Sequence, residues 1–402
     1  MHYDVIVIGA GMAGLVAANR HAHAGRRTLL LAKGQGTLHW SSGCIDLWPS
    51  AQPRSAISQL APPHPYALSG PAALDAAIGW LQATARAAGY PLAGTVTSNL
   101  ALPTALGTWR STALAPHSMI AAERNVLASG PVLVAGFREL RDFYPPMLAA
   151  RLNEQDIAAE GRYLTMPPTE RTLDFNTVQL ARLFEQPAFR ADIGRQLRAL
   201  RGAARVILLP AVLGIQDTLA IVAELQTSSG ALIAEVPTMP TNVPGLRLYR
   251  LLVAAFEAAG GRMQLNAEVI GGDWEGPRLQ AVWSKAPARD QQHRADQFVL
   301  ATGGIGGGGL RADYPGQLRE TALDLPIAQP ERSEWFDPVA LNPQAVYCAG
   351  IAVDRHLRPI NAAGDVLAQN VRVAGAALAG ADLLRQRCVE GVALATGWQA
   401  GA

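Results

Sequence analysis

Cysteine is scarce. The 402 residues hold three, Cys44, Cys348 and Cys388, and none of the spacings between them suits a metal ion or an iron–sulfur cluster, so the chain is expected to carry no cluster of its own. Charge of one sign is also lacking: 34 Lys and Arg face 32 Asp and Glu, the formal net charge is +2, and no clustered basic face argues for a nucleic-acid partner. Apolar runs are short. The stretch from Val206 to Ile215 is interrupted by Pro210 and Gly214 and cannot cross a bilayer. The apolar N-terminal run has no basic start and continues into a glycine motif, which argues against a signal peptide and for a cytoplasmic protein. With 49% hydrophobic and only 16% charged residues the chain is not disordered. At this length two lobes are expected rather than one core.

What is present begins at once. Tyr3-Asp4-Val5-Ile6-Val7-Ile8 runs into Gly9-Ala10-Gly11-Met12-Ala13-Gly14, and an Ala-rich segment extends to Gly25. The order reads as strand, glycine turn and helix. In such a unit Gly9 makes the turn, Gly11 lets a phosphate approach the backbone, and Gly14 lets helix and strand pack closely. The N–H groups and positive dipole end of the helix then face the phosphate. One part is missing. The second strand, Arg27 to Leu31, should end on an acid that accepts an adenosine ribose hydroxyl, but Ala32 and Lys33 stand there. That favours a mononucleotide such as FMN, with a differently gripped FAD as the alternative, and weakens a plain NAD reading.

The pattern further along predicts a loop from Thr37 to Asp46, a helix from Ala72 to Ala88, and buried strands at Pro131–Gly136 and Ala204–Pro210, each followed by helical pattern. The middle therefore reads as an α/β lobe. From Pro244 a helix runs to Ala259, Gly260-Gly261 stop it, and later strands lead to Phe298-Val299-Leu300-Ala301-Thr302-Gly303-Gly304. Such an ending suits a backbone passing close to a cofactor. A last Gly-rich strand through Gly375 precedes a helix from about Cys388 to Gln399. The expected architecture is a Rossmann-like flavin-binding domain, residues 1–68 and 244–402, with an inserted second α/β lobe, residues 69–243.

These segments resemble the flavoprotein superfamily that includes fumarate reductase, succinate dehydrogenase and L-aspartate oxidase. More narrowly, the chain resembles the B-subunit family of bacterial anaerobic glycerol-3-phosphate dehydrogenases. The resembling pieces are Leu38-His39-Trp40-Ser41-Ser42-Gly43-Cys44-Ile45-Asp46-Leu47, His64-Pro65-Tyr66-Ala67-Leu68, Leu106-Gly107-Thr108-Trp109-Arg110-Ser111-Thr112, Leu208 to Gly214, and Pro237-Thr238-Met239-Pro240 with Pro244 to Leu248. The resemblance implies an FMN-carrying subunit of a three-subunit complex. Its partners would be an FAD-containing dehydrogenase subunit and an iron–sulfur subunit that touches the inner membrane. The complex would oxidise glycerol 3-phosphate to dihydroxyacetone phosphate and pass electrons to quinone. Where the family has a Gly-Cys-Gly-Gly-Gly run at the flavin, this chain has Arg385-Gln386-Arg387-Cys388-Val389-Glu390-Gly391.

The expected cofactor-binding residues are Gly9, Gly11, Met12, Ala13, Gly14, Ala32, Lys33, Ser41, Ser42, Gly43, Thr302, Gly303, Gly304, Gly375, Arg387 and Cys388. Arg385 and Arg387 could steady negative charge on a reduced flavin, or cap a helix in solvent. Ser41, Ser42 and Gly43 offer hydroxyls and N–H groups to a phosphate, or form an ordinary turn. Arg110 and Thr112, with Thr108 and Ser111, make a candidate phosphate set, and Arg247 near a helix start is a third candidate contact for the substrate. His39 is more suited to structure than to proton transfer. Asp354 and Arg358 are expected to shape a turn. No His and Arg set typical of hydride transfer stands out, so a non-catalytic flavin-carrying relay or assembly subunit is the alternative to a dehydrogenase in its own right.

Overall fold

A computed structural model describes residues 2–166 and 174–402. The chain forms two compact units: Met1–Thr37, Asp46–Leu81 and Leu251–Ala402 make the first, and Leu38–Ile45 with Gln82–Arg250 make the second.

The first unit is built on the strand His2–Ile8. It pairs in parallel with Thr28–Leu31 on one side and with Gln291–Leu300 on the other, and Arg262–Gln264 extends the sheet beyond Thr28–Leu31. Flanked on both edges and covered on both faces, Val5, Ile6 and Val7 are fully buried, which is why the sequence there is a continuous β-branched run without alternation. The strand Gln291–Leu300 changes character along its length. Its first half pairs antiparallel with Arg278–Ser284, and its last three residues pair in parallel with Val371–Val373. Exposure follows: residues alternate up to Gln297, then Phe298, Val299 and Leu300 are all buried.

The helix Met12–His23 returns across this sheet and stops at Gly25, whose φ of +76° suits the left-handed exit from a helix. Inside it the Asn19 amide donates to the carbonyls of Leu15 and Leu252, both at 2.9 Å, tying it to the helix Val243–Ala258. His21 is buried and His23 exposed, as their i,i+2 spacing requires. Asp354 and Arg358 close a turn through a 2.7 Å ion pair and three further hydrogen bonds.

The second unit has its own four-stranded, all-parallel sheet in the order Leu232–Val236, Val206–Pro210, Val132–Phe137, Ala159–Leu164. Parallel neighbours need crossovers, and the helix Thr218–Ser229 supplies one, ending on Gly230 in the left-handed conformation. Phe137, Phe184 and Phe189 meet with ring centroids 5.1 to 6.3 Å apart in its core. The expected long helices lie at Pro71–Ala87, Val243–Ala258 and Val389–Ala400. The chain is thus a Rossmann-like α/β protein with a second α/β unit between the pieces of the first. Among the described residues no helix is long and apolar enough to cross a membrane.

Candidate functional site

In open α/β sheets ligands bind outside the carboxyl ends of the parallel strands. Two of those ends meet here, Ile8 and Leu300, which are register partners. The backbone beyond them fits so tightly that side chains are excluded. A Cβ on Gly9 would stand 2.2 Å from the Ala301 carbonyl oxygen, and one on Gly14 would stand 1.9 Å from the Gly9 oxygen. Gly11 is different: nothing lies within 4 Å of where its Cβ would be. Two glycines close the turn, and the third keeps a space open in front of it.

That space faces the start of the helix Met12–His23. Its cap residue, Gly11, offers no side-chain acceptor, and no acidic residue stands in the first turn. The first N–H groups of any helix have no partner within it, so this end is an uncapped anion cradle. Gly36, at φ +68°, crosses so near that its Cβ would lie 2.9 Å from the Gly11 nitrogen, which brings the loop after the second strand over the turn.

The Thr302–Gly304 segment forms the opposite wall. Gly303 has φ +85°, a Cβ on Gly304 would meet the Ala376 oxygen at 2.5 Å, and Gly309 packs on Gly303 and Thr302. The Thr302 hydroxyl is buried and has no hydrogen-bond partner in the protein. The uncapped helix start, with its unpartnered N–H groups, is the part of this edge suited to a cofactor phosphate. Gly375 joins the group by packing: its Cβ would lie 2.9 Å from that of Ala13, and its N–H donates to the Thr396 hydroxyl at 2.9 Å. Met12 and Ala13 are buried in the same layer.

The last helix runs the same way as the first, since Gly397 packs on Ala13 and Gly401 on Ala17 and Arg20. Its start therefore points to the same edge of the sheet, about 12 Å beyond Gly397 at 1.5 Å per residue. Arg387 and Cys388 stand there. Arg387 is exposed with φ +50°, a left-handed conformation where a glycine would fit without strain. Cys388 is fully buried, and burial first, then Glu390 and Asp382, pushes its thiol far above the usual range, so it is no nucleophile.

Ala32 is buried at the end of Thr28–Leu31, its N–H bonded to the Gln264 oxygen and its carbonyl to the Ala267 N–H, both at 3.0 Å. The fold thereby brings in a carboxylate that sequence reading missed. Glu268 takes the Lys33 ammonium at 2.7 Å with Lys285 at 3.9 Å, and the Lys33 hydrogen bond holds its carboxyl below the usual range. The only signal for it was topological: the strand Arg262–Gln264 adds beside Thr28–Leu31.

Residues 4–392 match the family described as FAD binding domain. The B subunit of the anaerobic glycerol-3-phosphate dehydrogenase of Yersinia pestis is 34% identical over 98% of this chain and 96% of its own length. The protein of the same name from Vibrio cholerae is 32% identical over 100% and 96%. The chain belongs to this B-subunit family. Among solved structures, the open conformation of a flavocytochrome c3 fumarate reductase matches 100% of this chain and 77% of that one at 10% identity and a TM-score of 0.46. As a member of this family the chain is a flavoprotein, and the cradle built by Gly9, Gly11, Gly14 and Thr302 to Gly304 fits that description.

The remaining candidates lie in the second unit. Ser41 and Ser42 accept the N–H groups of Gly43 and Cys44 at 3.3 and 3.2 Å, closing their own turn, and Gly43 lies against Pro244, where a Cβ would come within 2.7 Å. Two substrate expectations are corrected. The Arg247 guanidinium is buried and engaged throughout: it donates to both oxygens of Glu235, at 2.7 and 2.9 Å, and to the Gly214 carbonyl at 2.9 and 2.6 Å. Burial disfavours its charge, but Glu235 outweighs that and holds the guanidinium above its ordinary range. The anion drawn to this helix start is internal, so Arg247 has no donor to offer a substrate. Thr112 is likewise fully buried, its hydroxyl between the carbonyls of Ile45 and Leu114 at 3.1 Å each. Arg110 is half-buried on the same short strand, and Thr108 pairs with Thr104 at 2.8 Å, so the supposed phosphate set is divided.

Proposed function

We propose that the chain is the flavin-carrying subunit of an anaerobic glycerol-3-phosphate dehydrogenase, a complex that oxidises glycerol 3-phosphate to dihydroxyacetone phosphate and passes electrons to quinone. One observation carries the reading: the turn at Gly11 is open and uncapped, and it lies just beyond the paired strand ends Ile8 and Leu300. In it the N–H groups at Gly11, Met12 and Ala13 hold the cofactor phosphate, Thr302 and the Gly303 backbone orient its far part, and the turn at Arg387 closes its outer side. A bound flavin supplies reversible two-electron and one-electron chemistry.

Within the complex a relay role is favoured over direct substrate chemistry, because two of the three candidate substrate contacts, Arg247 and Thr112, are sealed inside the second unit. The partners are an FAD-containing dehydrogenase subunit and an iron–sulfur subunit, and the latter places the complex at the inner membrane. FMN is favoured over FAD: Ala32 offers no acceptor to a ribose, and the Glu268 carboxylate beside it is committed to Lys33. Acid extraction and mass spectrometry of the purified protein test the cofactor. Noncovalent FMN is expected; an FAD mass overturns the mononucleotide argument, and a colourless protein overturns the whole reading. Co-expression with the two partners tests the role. The chain alone should reduce no dye with glycerol 3-phosphate, and activity of the isolated chain would overturn the relay.

A further inference from the structure

A small satellite core in the first unit, Trp335, Val346, Ala349 and Leu318, anchors a loop with unusual properties. The buried Trp335 donates from its indole to the Pro330 carbonyl at 3.1 Å and accepts the Val346 N–H at 3.2 Å. Between these anchors the Gln344 side chain ties the loop to itself. It accepts the Asp337 N–H at 2.8 Å and donates to the carbonyls of Val339 and Asn342 at 3.1 and 3.0 Å. The backbone is thus preorganised, yet it turns apolar side chains outward: Leu341 is 86% exposed, Phe336 59% and Val339 56%. Arg385 joins a second segment to it by donating to the Leu341 carbonyl at 2.7 Å, and Leu384 beside it is 70% exposed. Conformational order here is not spent on burying these groups. Large exposed apolar side chains gathered on one ordered loop mark an interaction site, and such side chains with a few arginines at the edge match the composition of protein interfaces.

The position of this patch suggests what covers it. Leu384 and Arg385 belong to the turn that ends at Arg387 and Cys388, at the start of the last helix on the cofactor edge of the sheet. A partner seated on it lies next to the point where electrons leave the cofactor. We propose that the loop Trp335–Cys348 together with Leu384–Arg387 is the docking surface for the iron–sulfur subunit, an inference that rests on the relay reading above. The exposed Arg385 and Arg387 suit a partner whose thiolate-bound clusters carry negative charge.

The test uses the full chain co-expressed with the FAD-containing and iron–sulfur subunits. Leu341→Asp and Phe336→Asp are compared with Tyr314→Asp, at a fully exposed aromatic position outside the loop. Native mass spectrometry reads the stoichiometry, flavin content reads the fold, and hydrogen exchange of the wild-type complex against the chain alone reads the surface directly. The expected result is loss of the iron–sulfur subunit in the two loop variants but not in Tyr314→Asp, with flavin retained and residues 335–348 protected at least tenfold in the wild-type complex. Retention of all three subunits, or absence of protection over 335–348, overturns the proposal. So does loss of the FAD subunit alone, or conversion of a dimer of the isolated chain to a monomer by Leu341→Asp. If the wild-type chain assembles with no iron–sulfur subunit at all, the relay reading itself fails.

Discussion

The Arg247 guanidinium meets both oxygens of the Glu235 carboxylate, at 2.7 and 2.9 Å, and the same carboxylate accepts the Ser118 hydroxyl and the Leu213 N–H. Every strong donor and acceptor in this group is paired inside the second unit. Removing one partner leaves a buried charge without compensation, which costs about 3–5 kcal/mol. Arg247→Ala should lower the stability to denaturant by that order and leave the affinity of the assembled complex for glycerol 3-phosphate unchanged. A loss below about 1 kcal/mol, or a specific rise in KM, would reinstate Arg247 as a ligand contact.

The glycine turn makes a paired prediction. Gly11→Val fills open space, so the fold should survive while flavin is lost. Gly14→Ala puts a methyl group where the Gly9 oxygen stands, so it should cost roughly 1–3 kcal/mol of stability whatever the cofactor does. Flavin stoichiometry by absorbance and denaturation midpoints separate the two. Wild-type flavin content in Gly11→Val would show that the turn does not face the cofactor.

Burial, and then Arg26 and Arg372, lower the pKa of His21 from 6.5 to about 3. Folded His21 is therefore neutral where the unfolded chain binds a proton. The stability this residue permits is complete above pH 6.5 and falls as pH drops from there toward 3, by at most roughly 1.4 kcal/mol per pH unit. His21→Gln should flatten the fall. Parallel pH profiles of wild type and variant between pH 6.5 and 4 would assign the acid sensitivity elsewhere.

Arg387 holds a left-handed backbone that costs a residue with a Cβ roughly 1–2 kcal/mol. Arg387→Gly removes that strain and loses part of the gain to chain entropy, so the melting temperature should stay level or rise. If the guanidinium steadies the reduced cofactor, the flavin midpoint potential becomes more negative in this variant. A lower melting temperature with an unmoved potential would contradict both statements.

The sequence announced the elements whose signals are local. The β-branched run before Gly9, the strand ending Ala301 to Gly304 and the three long helices came out within a residue or two, because each is set by periodicity and by glycine at its ends. What it concealed depends on residues far apart. Glu268 reaches Lys33 only because one parallel strand adds beside another. Arg247 looked available at a helix start, and its partner sits on a strand whose buried run is interrupted by that one acid. Thr112 reads like a polar strand residue, and only the approach of Ile45 seals it. The turn at Ser41 to Gly43 was visible as a turn, but its packing on Pro244 was not.

The interleaving of the two units has a consequence for how the chain is made. The strand His2–Ile8 leaves the ribosome first, but its neighbour Gln291–Leu300 follows about 290 residues later, a delay of roughly 15–60 s at ~5–20 residues per second. The whole of Gln82–Arg250, with its own sheet and core, emerges during that wait. The second unit can therefore be complete while the first still shows an apolar strand without one of its neighbours. On the proposed cradle, cofactor loading needs Thr302 to Gly304 and so follows the insert, and a nascent chain stalled before residue 300 presents the cell with a finished insert on an unfinished host.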